Sequence, residues 1–144
     1  MTSMPTLQKC IFCDIISGKT HSTIIYSDEK FLCLMDKYPI SKGHFLVIPK
    51  HHYYDVFEMP LVTVGELFEL SVKLGKIAKD VLNAQGVNIG QNNGKVANQI
   101  VPHVHVHVIP RYITDSNQNN WSPGESSDKD LNHISNILKN KVSF

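Results

Sequence analysis

The order of hydrophobic and polar positions predicts several strands and one long helix. Apolar residues dominate 23–26, 31–35 and 45–48, which predicts three strands, the first two joined by a hairpin turn at 27–30. Pro49 is expected to end the third strand. Further along, apolar residues recur at spacings of three and four, as in an amphipathic helix, at Val64, Leu67, Leu70, Leu74, Ile77, Ala78 and Val81.

Boundary signals complete this outline. Thr63 with Glu66 three residues later has the pattern of a capping box and predicts the start of the helix, and Gly86 predicts its end. Residues 87–89 and 103–109 predict two more strands, 112–129 a polar loop, and 131–138 a short terminal helix. We therefore predict an α+β fold in which an antiparallel sheet carries helices on one face.

Length and charge narrow the class of protein. The chain has 144 residues, which predicts a single domain at 1–144. Its formal net charge is +1, so no broad basic surface for nucleic acid or a membrane is expected. No run approaches the roughly 20 apolar residues of a membrane span, and residues 1–9 lack the apolar stretch of a signal peptide. We expect a cytoplasmic protein with no nucleic-acid or membrane partner.

Three histidines alternate with three valines at 103–108. On a strand the three histidines share one face and the three valines share the other. We therefore expect the valines to face the core and the histidines to face a cleft or polar pocket. The histidines can be metal ligands, catalytic groups or an exposed polar face without a role. Positions four residues apart on a strand are about 13 Å apart, so at most two of the three imidazoles share one metal ion. At least one is left for chemistry, and a neutral imidazole is a competent nucleophile toward phosphorus.

Cysteines supply a second candidate. Cys10 and Cys13 form a Cys-x-x-Cys pair, and a cytoplasmic location would keep them reduced. Such a pair indicates metal binding, redox chemistry or two buried thiols, and its spacing alone leaves these alternatives open. Cys33 lies in an apolar strand and is expected to be a core thiol, while His44 is expected to be a structural or surface residue.

The run His-Val-His-Val-His-Val-Ile at 103–109 resembles the signature of the histidine triad superfamily. Segments 10–18, 43–50 and 92–94 resemble its nucleotide-binding branch, so the likeness extends over about 10–111 and leaves 112–144 as a carboxyl-terminal extension. This resemblance implies a five-stranded antiparallel sheet with one long and one or two short helices. It also implies a homodimer in which two such sheets join into one of ten strands.

The resemblance further implies an enzyme that cleaves purine nucleoside phosphoramidates or dinucleoside polyphosphates at the α-phosphorus. His105 matches the nucleophile, which forms a nucleotidyl-histidine intermediate that water then cleaves. His107 matches the residue that contacts the phosphate and helps to protonate the leaving group. Asn92 and Gln99 match positions that hold the phosphate, and Asp36 matches the acidic residue that binds ribose hydroxyls. Two alternatives stay open, a zinc hydrolase with a metal-bound water and a nucleotide-binding scaffold or regulatory protein.

Some relatives combine the cysteine pair with two histidines in a structural zinc site. The matching residues here are Cys10, Cys13, His52 and His103. The order Pro-Lys-x-His favours His52 over His51 as the third ligand. Two thiolates and two imidazoles suit tetrahedral zinc and leave no open position for catalysis.

Two positions in the loop before the histidines depart from the family pattern. Asn98 stands where glycine is common, and Ile100 stands where serine is common. A serine there would offer its hydroxyl to the phosphate or the leaving group, whereas Ile100 has only its backbone N–H. The handling of the leaving group is therefore open.

Overall fold

A computed structural model describes residues 9–115 and 121–143. Residues 1–8, where no signal-peptide pattern was found, residues 116–120 of the predicted loop, and residue 144 lie outside this description. Within the two described ranges, no helix combines the length and apolar character needed to cross a membrane.

Five antiparallel strands form one sheet with the order β1-β2-β3-β5-β4. The strands are β1 at Ile24–Ser27, β2 at Phe31–Met35, β3 at Phe45–Pro49, β4 at Gly86–Gln91 and β5 at Val106–Arg111. The predicted α+β class and five-stranded sheet are confirmed. The last strand begins at Val106 and not at His103, because the backbone just before it bonds elsewhere: the N–H of Val104 donates to the Tyr53 carbonyl at 2.9 Å.

Three α-helices accompany the sheet: α1 at Ile11–Ile16, α2 at Leu61–Val81 and α3 at Asp128–Lys139. The predicted start of the long helix at Thr63 is wrong. Helix α2 begins directly after Pro60, which takes the N-cap position without a side-chain cap bond, so Thr63 lies inside the first turn. Its end is also earlier than predicted, because Asn83 adopts a left-handed conformation at φ 56° and turns the chain before Gly86 begins β4.

Helices cover both faces of the sheet. Helices α2 and α3 pack on one face over the main core, which includes the three valines of the histidine run. A Cβ atom at Gly75 would lie 3.3 Å from Val108, so the absence of a side chain there lets α2 pass close over β5. Helix α1 covers the opposite face with a second cluster of Cys10, Phe12, Leu32, Leu34, Leu46 and Ile48.

The prediction of helices on one face is therefore wrong, and β2 and β3 show why. Both strands are buried along their whole length, so each presents apolar side chains to both faces. A sheet that is apolar on both sides needs cover on both. The carboxyl-terminal extension contributes to this packing through α3. Its Leu131 and Leu138 join the main core, and the hydroxyl of Ser135 donates to the Ile24 carbonyl at 3.1 Å.

Candidate active site and metal centre

The alternation predicted for the histidine run is present in the structure. All three of its valines are fully buried in the main core, and the histidines point to the other face. There His103 and His105 are buried, while His107 is partly buried. Of the two expected surroundings, a cleft or a polar pocket, the first two histidines do not line an open cleft, because Phe12 of α1 packs against both rings.

The tautomer of His105 follows from one hydrogen bond. Its Nδ1 lies 2.7 Å from the carbonyl oxygen of His103, and a carbonyl can only accept, so Nδ1 carries the proton. Burial lowers the pKa of His105, only partly opposed by that hydrogen bond, so the ring is neutral at pH 7. A neutral ring protonated at Nδ1 has its lone pair at Nε2. This nitrogen has the chemistry of a nucleophile.

A second hydrogen-bonded chain ends at His107. The backbone N–H of Ile40 donates to Nδ1 of His44 at 3.0 Å, so a neutral His44 carries its proton at Nε2. That Nε2 lies 3.0 Å from Nδ1 of His107 and donates to it. His107 therefore carries its own proton at Nε2. Burial lowers the pKa of His44 to about 3 and that of His107 to about 4, with smaller effects of His107 on His44 and of His105 on His107, so both rings are neutral.

His44 is the residue that sequence reasoning missed. We expected a structural or surface histidine, and it is buried with 1 % of its surface exposed and bonded to the third histidine of the run. A lone histidine before a strand forms no motif. The only signal was its place in the segment 43–50 on which the family resemblance rests.

Asp36 lies at the carboxyl end of β2 beside this chain. Its Oδ2 is 3.4 Å from Nε2 of His44, and its Oδ1 accepts from the Tyr38 backbone N–H at 2.8 Å. Burial raises the pKa of Asp36, against the lowering effect of that hydrogen bond. Asp36, His44 and His107 thus lie together, with ligand atoms within 4.8 Å of one another. Because the facing nitrogen of His44 carries a proton, we interpret the cluster as a hydrogen-bonded relay and not a metal site.

The predicted phosphate residues occupy the loop between β4 and β5. Gln91 pairs with Val106, so the same register places Asn92 directly after the end of β4, near the start of β5. Asn92 is exposed, and its amide donates to the Asn98 carbonyl at 3.3 Å. Asn98 stands at φ 69°, a left-handed conformation that asparagine tolerates better than most residues, which explains how it replaces a glycine.

Gln99 is placed differently from what a phosphate ligand requires. Its side chain is buried, with 5 % exposed. Its amide NH₂ donates to the carbonyls of Tyr54 and Val101, and its amide oxygen accepts from the Gly94 N–H. Both donor hydrogens are therefore used inside the protein. The neighbouring Ile100 is 89 % exposed.

Four predicted metal ligands converge from three parts of the chain. Their ligand atoms all lie within 4.8 Å of one another, at Cys10, Cys13, His52 and His103. Nδ1 of His103 is 3.5 Å from Sγ of Cys10 and 3.6 Å from Sγ of Cys13. Nδ1 of His52 is 3.2 Å from Sγ of Cys13 and 3.1 Å from Nδ1 of His103. The neighbouring His51 stacks on Tyr53 instead, with ring centroids 4.5 Å apart.

These separations fit tetrahedral zinc. With Zn–S near 2.3 Å and Zn–N near 2.0–2.1 Å, neighbouring sulfur and nitrogen ligands lie roughly 3.5 Å apart and two nitrogens roughly 3.3 Å apart. The second nitrogen of His103, Nε2, donates to the Pro49 carbonyl at 2.8 Å, which leaves the Nδ1 lone pair directed at the cluster. A ligand histidine that donates its other N–H to a carbonyl is the usual arrangement around a metal.

A bound cation would change the protonation of the Cys13 thiol. Burial and the neighbouring Cys10 raise the pKa of Cys13 to about 12, so in the absence of a positive charge this thiol stays protonated. A bound divalent cation supplies that charge and displaces the proton. The donor set, the distances and the supporting hydrogen bond therefore all suit a closed zinc site.

Comparison of this sequence with known protein families and proteins identifies the family to which it is similar. The sequence model of the HIT domain matches residues 17–114. An uncharacterised HIT-like protein of Methanocaldococcus jannaschii is 40% identical over 130 residues, covering 90% of this chain and 98% of the relative. An adenosine 5'-monophosphoramidase of Candida albicans is 32% identical over 145 residues, covering 97% of this chain and 95% of that enzyme.

Solved structures agree with the fold. The crystal structure of a zinc-bound histidine triad family protein from Mycobacterium smegmatis superposes with a TM-score of 0.81. It is 35% identical and covers 92% of this chain and 91% of that protein.

Proposed function

This chain belongs to the HIT domain family, and we propose that it is a nucleotide hydrolase with His105 as its nucleophile. Its substrates are purine nucleoside phosphoramidates or dinucleoside polyphosphates, cleaved at the α-phosphorus. The monophosphoramidase relative supports the class of substrate. The observation that carries the proposal is the hydrogen bond from Nδ1 of His105 to the His103 carbonyl, which leaves a neutral ring with its lone pair at Nε2.

The chemistry proceeds in two displacements. Nε2 of His105 bonds to the α-phosphorus while the bond from phosphorus to the leaving nitrogen or oxygen breaks, and its electron pair goes to the leaving group. The Nε2–H of His107, fixed by the relay from His44, donates a hydrogen bond to that group or to the phosphate. Water then attacks phosphorus, breaks the bond to His105 and releases the nucleoside monophosphate. Over the cycle, water supplies the hydroxyl on phosphorus and the proton on the leaving group.

Asn92 and Asp36 are proposed as substrate ligands. The exposed amide of Asn92, directly after the end of β4 and near the start of β5, is available to a phosphate oxygen. Asp36 is proposed to bind ribose hydroxyls. For Gln99 we propose a different role from the expected one. Because both donor hydrogens of its amide are bonded within the protein, Gln99 supports the loop between β4 and β5 and does not contact the phosphate through its amide.

The metal centre is proposed as a structural zinc site. Zinc bound there would hold the amino-terminal segment of α1 against the segment at His103, just before β5, and would supply folding free energy. The four donors fill a tetrahedral shell, which argues against a zinc-bound water as the nucleophile. The zinc-bound relative supports the choice of metal.

Two copies are proposed to pair, as the family resemblance implies. Strand β4 lies at one edge of the sheet, so its outer side is available to join a second sheet. The large apolar side chains Leu61, Val62 and Val72 of α2 are exposed in the single chain. Light scattering of the purified protein tests the homodimer. A cytoplasmic location and the division into a core at 10–111 and an extension at 112–144 stay predictions.

The test of the proposed function is His105→Ala, assayed with adenosine phosphoramidates and diadenosine polyphosphates. We expect the folded variant to lose turnover, and unchanged turnover would exclude the mechanism. The same assay with a chelator tests the alternative of a zinc hydrolase. The activity of such an enzyme would stop as soon as the metal is removed. A wild-type protein that binds nucleotide without cleaving any of these substrates would instead be a scaffold protein.

A further inference from the structure

Phe12 lies on the turn of chain between the two cysteines of the metal centre. It is buried, with 5 % of its surface exposed, in the small core cluster beneath α1. Its ring meets His103 edge-on, with centroids 5.7 Å apart and planes at 87°. It also meets His105 edge-on, with centroids 5.1 Å apart and planes at 67°. One side chain thus contacts both a metal ligand and the nucleophile.

Two contacts to His105 come from a metal ligand and from a residue between the two cysteines. The carbonyl of His103 accepts the Nδ1–H of His105 at 2.7 Å, and Phe12 packs against its ring. A third contact, to the ring of His107 with centroids 5.0 Å apart, comes from two positions further along the chain. These contacts connect the ring of the nucleophile to the backbone of His103 and to the side chain of Phe12.

Helix α1 is too short to be stable without tertiary contacts. It has six residues, and isolated helices much shorter than 12–15 residues are marginal in water. The cysteine side chains lie at its beginning: Cys10 is the N-cap and its Sγ accepts from the Cys13 N–H at 3.4 Å. A metal ion that binds both sulfurs, together with His52 and His103, would cross-link this short helix to the segment that precedes β5.

We propose that Phe12 is a positioning residue that makes the orientation of His105 depend on occupancy of the metal centre. The inference rests on the proposed structural zinc and, for one of its tests, on the proposed nucleotide substrate. If the coupling is real, it must be reciprocal, since a metal that improves nucleotide binding is itself bound more tightly in the presence of nucleotide by the same factor.

The first test needs no nucleotide. Nitrogen NMR of the histidine rings at one fixed pH reports the tautomer and the line width of His105 in zinc-loaded and chelator-treated protein. We expect a single Nδ1–H tautomer with a narrow line when zinc is bound, and a mixed or broadened signal without it. In zinc-loaded Phe12→Leu, which keeps an apolar side chain and all four ligands, we expect the metal-free pattern. An unchanged His105 signal in both cases would overturn the proposal.

Phe31→Leu is the matched control. Phe31 is equally buried, at 4 % exposure, but it lies in the main core on the other face of the sheet. The same truncation there should lower stability while leaving the His105 signal of the zinc-loaded protein as in the wild type. If Phe31→Leu disturbs His105 as much as Phe12→Leu does, the effect is general loosening, and the proposal is wrong.

The second test uses AMP and Zn²⁺ as probes. We expect the Kd of AMP, measured by calorimetry, to rise about fivefold or more when zinc is removed, and the affinity for zinc to rise by the same factor with AMP present. In Phe12→Leu this coupling should be mostly lost. Wild-type coupling retained in Phe12→Leu would overturn the inference. Absence of AMP binding in every form would contradict the proposed function, and the NMR result then decides the inference alone.

Discussion

Nε2 of His44 lies 3.0 Å from Nδ1 of His107, and this contact fixes which nitrogen of His107 carries a proton. Because Nδ1 of His44 accepts from a backbone N–H, the proton between the two rings belongs to His44. His107 is left as a donor through Nε2. A residue outside the His-x-His-x-His motif thereby sets the role of its third member.

We predict that His44→Phe, which keeps a ring but removes both nitrogens, impairs departure of a poor leaving group. Turnover of an adenosine phosphoramidate with an alkylamine leaving group should fall about 10²-fold, in the range of acid–base contributions. Turnover of a substrate with a phenolate leaving group should fall much less. Steady-state kinetics on both substrates measure this difference.

His133→Phe serves as the control for that experiment, because His133 is an exposed residue of α3. It should leave both rates unchanged. Equal losses on the two substrates in His44→Phe would contradict the assignment and point to a general structural effect.

Acid should destabilise the protein through its buried neutral histidines. The pKa values of His44 and His107 fall from 6.5 to about 3 and about 4 in the folded protein, chiefly through burial. Between these values and 6.5 the unfolded chain binds more protons, so the free energy of unfolding decreases as pH falls from about 6.5 toward 4. Urea titrations across this range should show the loss, at about 1.4 kcal/mol for each unit of pKa difference. A flat profile from pH 7 to 4 would contradict neutral buried rings.

We predict close to one zinc per chain in protein purified without chelator. His52→Ala should lower that content strongly and reduce the melting temperature, since a structural metal contributes folding free energy. His51→Ala is the matched control, because its ring stacks on Tyr53 and lies outside the donor cluster. Elemental analysis and calorimetry give both readings. Equal zinc content in the two variants would show that the ligand set is wrong.

Gln99→Ala should destabilise the loop between β4 and β5 that carries Asn92. It leaves the carbonyls of Tyr54 and Val101 and the N–H of Gly94 without their buried partner, at a cost of about 1–3 kcal/mol in the free energy of unfolding. Gln85→Ala is the comparison, since the Gln85 side chain also bonds to backbone but is exposed to water. Chemical denaturation of both variants checks the difference. Similar small losses would mean that Gln99 is not a loop support.

Local apolar patterns were sufficient to predict strands and helices whose burial can be inferred from neighbouring residues alone. The strand at Phe31–Met35 and the burial of the alternating valines agree with prediction because each depends on local apolar spacing. Helix α1 was missed because six residues give too few turns for a periodic signal. The start of α2 was missed because a capping-box pattern also occurs inside a helix, where the side chain has no free N–H to cap.

The site was harder to predict than the fold, because its contacts join distant parts of the chain. Cys10 and His103 are 93 positions apart, and His44 and His107 are 63 apart. The family resemblance identified the metal-ligand candidates, but it gave no reason to single out His44 or to place Phe12 against His105. The bonding of Gln99 depends on where the segment at Tyr54 lies, which spacing along the sequence does not specify.

The most direct test of the central claim is to look for the covalent intermediate. Wild-type protein mixed with an adenosine phosphoramidate, quenched in base and examined by intact mass spectrometry, should carry one adenylyl group, and peptide mapping should place it on His105. The adduct should be absent from His105→Ala and should accumulate before steady state. Steady turnover with no adduct in the wild type, or turnover that persists in folded His105→Ala, would contradict a nucleophilic His105.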